Sequence, residues 1–229
     1  MKKILVNTIL GASDFFYSGR KYNVSSNGAM ANLGCGMRCL PGWSNVDGSL
    51  TALFGSKKYS FINKLLYGLA GSSAYYSFSE YDRVIKQSGL LFFDLRNGAP
   101  FKDGSLDVIF TSHFLEHLRK EDGRRFLKDC YRALKNGGIM RIAVPDLDIA
   151  FGMYKDGKVE EMQDLFFYNS DGKDFHSHKY NYNFESLSGI LEAAGFKKIE
   201  KKEYQKGDCP NIDFLDVYPE ESLYVECRK

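Results

Sequence analysis

No apolar run in this sequence reaches the twenty or so residues that a membrane-spanning helix needs. The opening stretch MKKILVNTIL is short for a signal peptide, and Gly11-Ala12-Ser13-Asp14 is a poor cleavage site, so the stretch is read as a helix flanking the core. Charge of one sign is equally scarce. The net charge is only +2, with no basic block, which argues against nucleic acid as a partner. Cysteine is sparse and odd in number. Cys35, Cys39, Cys130, Cys209 and Cys227 follow no regular spacing, so neither a disulfide framework nor a Cys-x-x-Cys zinc site is indicated, and a reducing cytoplasm is the expected compartment. There are four histidines and no metal ligand set is assigned among them.

What is present is enough apolar matter for one ordinary domain spanning 1–229, with 44% hydrophobic and 15% aromatic residues. The most informative stretch is Ala29 to Asp47, AMANLGCGMRCLPGWSNVD. A buried strand ending at Asn32 and Leu33 delivers the chain into Gly34-Cys35-Gly36, where missing side chains would let backbone N–H groups approach a ligand. A second short strand, Trp43 to Val46, is closed by Asp47, whose carboxylate can accept from both hydroxyls of a ribose. Met37 and Arg38 stand where a dinucleotide fingerprint has its third glycine, which counts against a dinucleotide oxidoreductase. Further buried-strand patterns follow at Leu90–Asp94, Leu106–Thr111 and Ile139–Val144, the last after the helix-stop signal Lys135-Asn136-Gly137-Gly138.

Four strings in this order, Asn32–Gly36 (NLGCG), Pro41–Asp47 (PGWSNVD), Ser112–Leu118 (SHFLEHL) and Leu134–Asp146 (LKNGGIMRIAVPD), resemble the class I S-adenosylmethionine-dependent methyltransferases, closest to a small bacterial group. The likeness runs from about residue 29 to 147 and resumes at 178–196 and 221–227; Asn136 departs from the proline usual there. It implies an α/β fold: a doubly wound Rossmann-like sheet of about seven strands, mostly parallel with an antiparallel C-terminal strand, and helices on both faces. It implies S-adenosyl-L-methionine as cofactor and S-adenosyl-L-homocysteine as product. By that resemblance Gly34 and Gly36 line the methionine part, with Asn32 and Cys35 in the same turn. Asp47 holds the ribose, Asp94 and Leu95 meet adenine, and backbone near Ser112 and His113 flanks the sulfonium.

Residues 48–89 form an unusually long link, read as an inserted helical or lid segment in which Tyr59, Phe61, Ile62, Leu65, Leu66, Tyr67 and Leu69 recur at helical spacing. Between Glu121 and Leu134, Phe126, Leu127, Cys130, Tyr131 and Leu134 share one helical face. Residues 145–183 read as a loop-rich, substrate-side segment. A helix capped near Asn183 follows, with Phe184, Leu187, Ile190, Leu191 and Ala194 inward, and then closing strands Lys197–Tyr204 and Ser222–Cys227.

Methyl transfer needs donor and acceptor held in line, a proton removed from a weak nucleophile, and water excluded. The histidines fall into two clusters, His113 with His117 and His176 with His178, both at the carboxyl ends of strands, where open parallel sheets bind ligands. His113 is the first candidate for the base, His178 the second and His117 the third; a hydrogen-bonded structural role remains open for each. Tyr154, Phe166, Phe167, Tyr168, Tyr180 and Tyr182 would suit a sugar ring or planar small molecule, and Asp146 and Asp148 would suit sugar hydroxyls or a divalent ion. The expected reaction is O-methylation of a small molecule or sugar, in the setting of surface-glycan assembly. Two other readings stand beside it. One is a protein that binds the cofactor without turnover; the other takes His113 to His117 as the H-x-x-E-H string of a zinc metallopeptidase.

Overall fold

The computed structural model describes residues 11, 13, 17, 19–24, 29–69, 71–168 and 177–229. The opening stretch read as a helix and His176 lie outside the described residues. Seven strands make one sheet: β1 (Met30–Leu33), β2 (Ser44–Asp47), β3 (Leu91–Phe92), β4 (Leu106–Ser112), β5 (Leu134–Pro145), β6 (Lys197–Lys202) and β7 (Ser222–Arg228). Their order is β3-β2-β1-β4-β5-β7-β6. Neighbours from β3 through β5 pair in parallel, and β7 runs antiparallel to both β5 and β6, so the doubly wound sheet with its antiparallel C-terminal strand is as the motif order implies. Val108 to Thr111 of β4 are all buried, as expected of a parallel strand covered on both faces.

The main core lies on one face. Leu33, Ile109, Ile142 and Val144 of the sheet meet Phe126, Leu127 and Cys130 of the helix Lys120–Ala133 and Leu187 and Leu191 of the helix Phe184–Ala194. The opposite face is smaller, with Trp43, Val108, Phe110, Cys209 and Leu215 in contact. In chain order the helices are α1 (Leu50–Phe54), α2 (Ser60–Leu69), α3 (Phe78–Gln87), α4 (Lys120–Ala133), α5 (Leu147–Lys155), α6 (Val159–Phe167), α7 (Phe184–Ala194) and α8 (Ile212–Leu215). The long link between β2 and β3 thus carries three helices with a small core of their own, Leu50, Leu66, Tyr81 and Ile85. No helix of the described residues is long and apolar enough to cross a membrane.

Helix α7 starts where its sequence says it should. Asn183 accepts from the Ser186 amide at 3.0 Å while the Ser186 hydroxyl accepts from the Asn183 amide at 3.0 Å, a reciprocal capping box, and Gly195 closes the helix at φ 111°. Asn183→Ala should cost about 1 kcal/mol, seen as a fall of ~2–4 °C in Tm by thermal denaturation. An unchanged Tm would show that the cap contributes nothing.

Two readings need correction. The segment 145–183 is not loop throughout: α5 and α6 occupy much of it, with Asp146 as the N-cap of α5, accepting from the Asp148 amide at 3.0 Å. The third strand is only Leu91–Phe92, because the Asp94 side chain accepts from the Arg96 amide and turns the chain into a 3-10 helix, Leu95–Asn97.

Candidate functional site

The carboxyl ends of β1, β2 and β4 converge on the glycine turn. Gly34 has φ 72° and Gly36 φ 52°, both in the region that favours glycine. The turn's N–H groups do not face a ligand as the sequence led us to expect. Gly34 N donates to Val46 O at 2.9 Å, Cys35 N to the same oxygen at 3.2 Å, and Gly36 N to Asp47 Oδ2 at 2.9 Å. All three amides therefore tie the turn to β2, which leaves carbonyl oxygens and the Asp47 carboxylate to meet a bound molecule. Asp47 Oδ1 accepts from Ser49 N at 2.8 Å, so the carboxylate is fixed from two sides. Asn32 is buried and gives its side-chain amide to Arg38 O at 2.8 Å, which makes it a brace for the turn. Cys35 is buried with its sulfur 3.8 Å from that of Cys39, and burial pushes the Cys35 thiol well up, so it is an inert packing group.

Two features leave room for a ligand here. A Cβ placed on Gly36 meets nothing within 4 Å, whereas one on Gly34 would lie 2.5 Å from Phe114 Cγ. The Ser112 hydroxyl at the end of β4 is buried and has no hydrogen-bond partner among the described residues. Asp94 is less available: both of its oxygens accept from the Arg96 guanidinium. Leu95 beside it is a core side chain.

Beyond β4 the backbone breaks sharply. His113 sits at φ 48° and residues Leu115–His117 form a 3-10 helix. Lys179 N and Tyr180 N both donate to Glu116 O, at 2.7 and 3.2 Å, which draws the strand-like return of residues 178–182 across this turn. The consequence is that His113, His117 and His178 all face the Glu116 side chain. Their nearest nitrogens lie 3.5, 3.9 and 3.9 Å from Glu116 Oε1. Glu116 is fully buried, and neither carboxyl oxygen has a hydrogen-bond partner among the described residues. Desolvation raises its pKa to about 8. Burial in turn lowers His113 to about 3, and lowers His178 as well, so both imidazoles are neutral. His113 Nε2 is also 2.9 Å from the Ser222 hydroxyl, and its ring meets that of Tyr218 edge-on at 4.8 Å.

The H-x-x-E-H string is therefore not a peptidase helix. It bends through a positive-φ residue, and the glutamate that would serve such an enzyme as base is shut inside the protein. Asp146 and Asp148 are also spoken for: Asp146 is buried, capping α5 and 3.2 Å from Lys201 Nζ, and Asp148 accepts from Asn183 Nδ2 at 3.3 Å. Of the six aromatics expected around an acceptor, Tyr154, Phe166 and Phe167 line a groove of about 330 Å³ between α5 and α6, with Phe151 and Met162. Tyr168 stacks on His178 at 5.4 Å, while Tyr182 is a core side chain in contact with Tyr180. Helix α6 is tied to the histidine cluster, because His178 donates its amide to Phe167 O at 3.0 Å.

Sequence reasoning missed Glu116, Tyr218, Ser222 and Arg141. Arg141 is fully buried in β5 and all five of its N–H donors are used, by Asp216, Glu226 and the carbonyls of Glu203 and Lys206. A lone arginine within the apolar run IMRIAV was a legible sign that an anionic partner waits elsewhere.

Residues 93–142, from the end of β3 through β5, match the family described as Methyltransferase domain. A tRNA N(3)-methylcytidine methyltransferase of Drosophila melanogaster is 30% identical over 123 residues, 52% of this chain and 36% of that protein. A probable S-adenosylmethionine-dependent methyltransferase of Mycolicibacterium smegmatis is 29% identical over 108 residues, 45% of this chain and 35% of that protein. The chain thus spans about a third of the length of these curated relatives. The crystal structure of a possible exported protein from Bordetella parapertussis superposes with a TM-score of 0.51 at 15% identity, over 99% of this chain and 69% of that one, a likeness of fold alone.

Proposed function

We propose that this chain, whose fold and central segment are those of a class I methyltransferase, binds S-adenosyl-L-methionine at the Gly34–Gly36 turn and methylates a hydroxyl of a small molecule or sugar, releasing S-adenosyl-L-homocysteine. The observation that carries this reading is the Asp47 carboxylate, held at the end of β2 by the Gly36 and Ser49 amides beside the open space at Gly36. A fixed carboxylate there suits two ribose hydroxyls. The turn's carbonyls suit the α-ammonium of the methionine part, and the backbone at Asp94 and Leu95, whose side chains are engaged elsewhere, is left to border the adenine. Ser112 offers a hydroxyl with no partner among the described residues near the sulfonium. The cofactor supplies an electrophilic methyl group. What remains for the protein is alignment and removal of the acceptor's proton.

That proton task falls to the cluster of His113, His117 and His178. His113 already uses both nitrogens, one on Ser222 and one toward Glu116, and its low pKa makes it a weak base. We therefore move the burden from His113 toward His117, whose side chain is 20% exposed. The aromatic groove of α5 and α6, anchored to His178, supports a planar or sugar acceptor. Free thiols at all five cysteines accord with a reducing cytoplasm, and surface-glycan assembly is the setting the motif resemblance favours.

Calorimetric titration with S-adenosylmethionine and S-adenosylhomocysteine tests the cofactor. Micromolar binding is expected, weakened about tenfold or more by Asp47→Ala, the equivalent of ~1.4 kcal/mol. No binding, or binding of NAD in its place, would overturn the assignment. A methyl-release assay across nucleotide sugars, glycans, catechols, amines and total tRNA then tests the acceptor. Methylation confined to tRNA or to amines would refute the hydroxyl reading, and binding without turnover on any acceptor would leave a non-catalytic binding protein.

A further inference from the structure

The three imidazoles around Glu116 can be assigned tautomers from their outer partners. His117 Nδ1 lies 3.3 Å from Ser177 O and His178 Nδ1 2.9 Å from Leu165 O; a carbonyl only accepts, so each Nδ1 carries the proton. The Ser222 hydroxyl donates to Val217 O, so it accepts from His113 Nε2. All three rings consequently turn an unprotonated nitrogen toward one buried carboxyl group. Lone pairs aimed at a carboxylate repel it, and a single carboxyl proton can answer only one of them. The separations of 3.5 to 3.9 Å are also long for direct hydrogen bonds.

We propose that Glu116, His117 and His178 hold a divalent first-row transition-metal cation of the zinc kind, with one coordination position left open. One donor atom from each of the three residues lies within 4.8 Å of the other two. A tetrahedral ion with bonds of about 2.0–2.1 Å sets its donors about 3.3–3.5 Å apart, so each 3.9 Å Nε2–Oε1 separation must shorten by about half an ångström, and the two imidazole nitrogens, within 4.8 Å of each other, by at most roughly 1.5 Å. Two imidazoles and one carboxylate are a zinc-type donor set, and they are too few hard oxygens for magnesium or calcium. The backbone carbonyls of Ser177 and Leu165 orient the two rings in the way that outer partners of metal-bound histidines do. The ion takes the place of the carboxyl proton, which leaves to solvent. His113, held back by Ser222, stays outside the donor set. The open position lies on the His117 side, the more exposed of the two rings. An acceptor hydroxyl seated there would have its proton made easier to lose to solvent, and His117, with Nε2 on the ion and Nδ1 on the Ser177 carbonyl, would then act as a ligand in place of the base.

The site stands on side-chain geometry and goes beyond the methyl-transfer reading. Its test is direct: the full chain, stripped with chelator, is titrated calorimetrically with zinc chloride, and cobalt loading is followed by absorption. One ion per chain is expected. Loss of a ligand should weaken binding by about a hundredfold or more, since even outer-partner losses reach that scale. The variants are His117→Ala, His178→Ala and the near-isosteric Glu116→Gln, each checked by circular dichroism. The two histidine variants decide the outcome if Glu116→Gln does not fold. A folded wild-type chain that binds no zinc would overturn the proposal. So would zinc affinity left intact by both histidine variants, which would put the ion elsewhere, such as at Cys35 and Cys39. S-adenosylmethionine titrated into the same samples reads the methyl-transfer proposal separately.

Discussion

Arg141→Met will destabilise the protein by roughly 3–5 kcal/mol, because it leaves two buried carboxylates without their cation. At the ~2–4 °C per kcal/mol typical of a chain this size, Tm should fall by about 10 °C. Asp216 accepts from Nε at 2.9 Å and from Nη2, and Glu226 from Nη1 at 2.9 Å, all away from water. Removing the positive charge from this centre is far more costly than never having placed it there. The triple variant Arg141→Met, Asp216→Asn, Glu226→Gln should therefore recover much of the loss, which urea and thermal denaturation of the single and triple variants would reveal. A single-variant loss below about 1 kcal/mol would show that these charges are solvated. The effect should extend to the site. Asp216 and Glu226 also hold the amides of Gln205, Asp208 and Cys209, and so shape the connection between β6 and β7. That connection places Tyr218 and Ser222 against His113, and the Phe214 carbonyl on Arg38, just after the glycine turn.

Local signals carried well from sequence to structure. Asn183 and Gly195 bound α7, the apolar face of α4 is where its spacing puts it, and Asp47 closes β2. The sheet order came from the order of the four motifs, not from periodicity. Helices α5 and α6 were hidden because each buries a single residue, Ala150 and Leu165, while Phe151, Tyr154 and Phe167 face outward. Their apolar residues thus trace no inward stripe, and the period that would reveal them is blurred. In the candidate site, the histidines were legible as two clusters at strand ends. Their convergence on Glu116 was not, since it depends on hydrogen bonds from Lys179 and Tyr180 to Glu116 O across more than sixty residues of chain. Glu116 stands in the quoted motif, where a glutamate reads as helix-start architecture as readily as a catalytic group. Nothing in a one-dimensional string says that this one is fully buried.

The two glycines of the turn should separate stability from binding. Gly34→Ala puts a methyl group 2.5 to 2.7 Å from three carbons of Phe114, whose ring is itself set against Phe126 at 5.3 Å, and does so at φ 72°. Either Phe114 leaves its place or the turn lifts from β2, so both Tm and cofactor affinity should fall, the latter about a hundredfold or more, equivalent to ~2.7 kcal/mol. Gly36→Ala is different in kind. Its φ of 52° imposes the left-handed strain of about 1–2 kcal/mol on alanine, but the new methyl group enters open space and meets no protein atom within 4 Å. That strain alone can be read from Gly104→Ala, an exposed glycine at φ 57°, equally free of neighbours and far from the turn, just before β4. Gly36→Ala should therefore match Gly104→Ala in Tm and yet lose S-adenosylmethionine binding by about a hundredfold, because the open space is where the methionine part of the cofactor lies. Calorimetry and thermal denaturation on the three variants make the comparison. If Gly36→Ala bound the cofactor as tightly as Gly104→Ala does, the space beside Gly36 would not be a ligand's, and the assignment of this turn would fail with it.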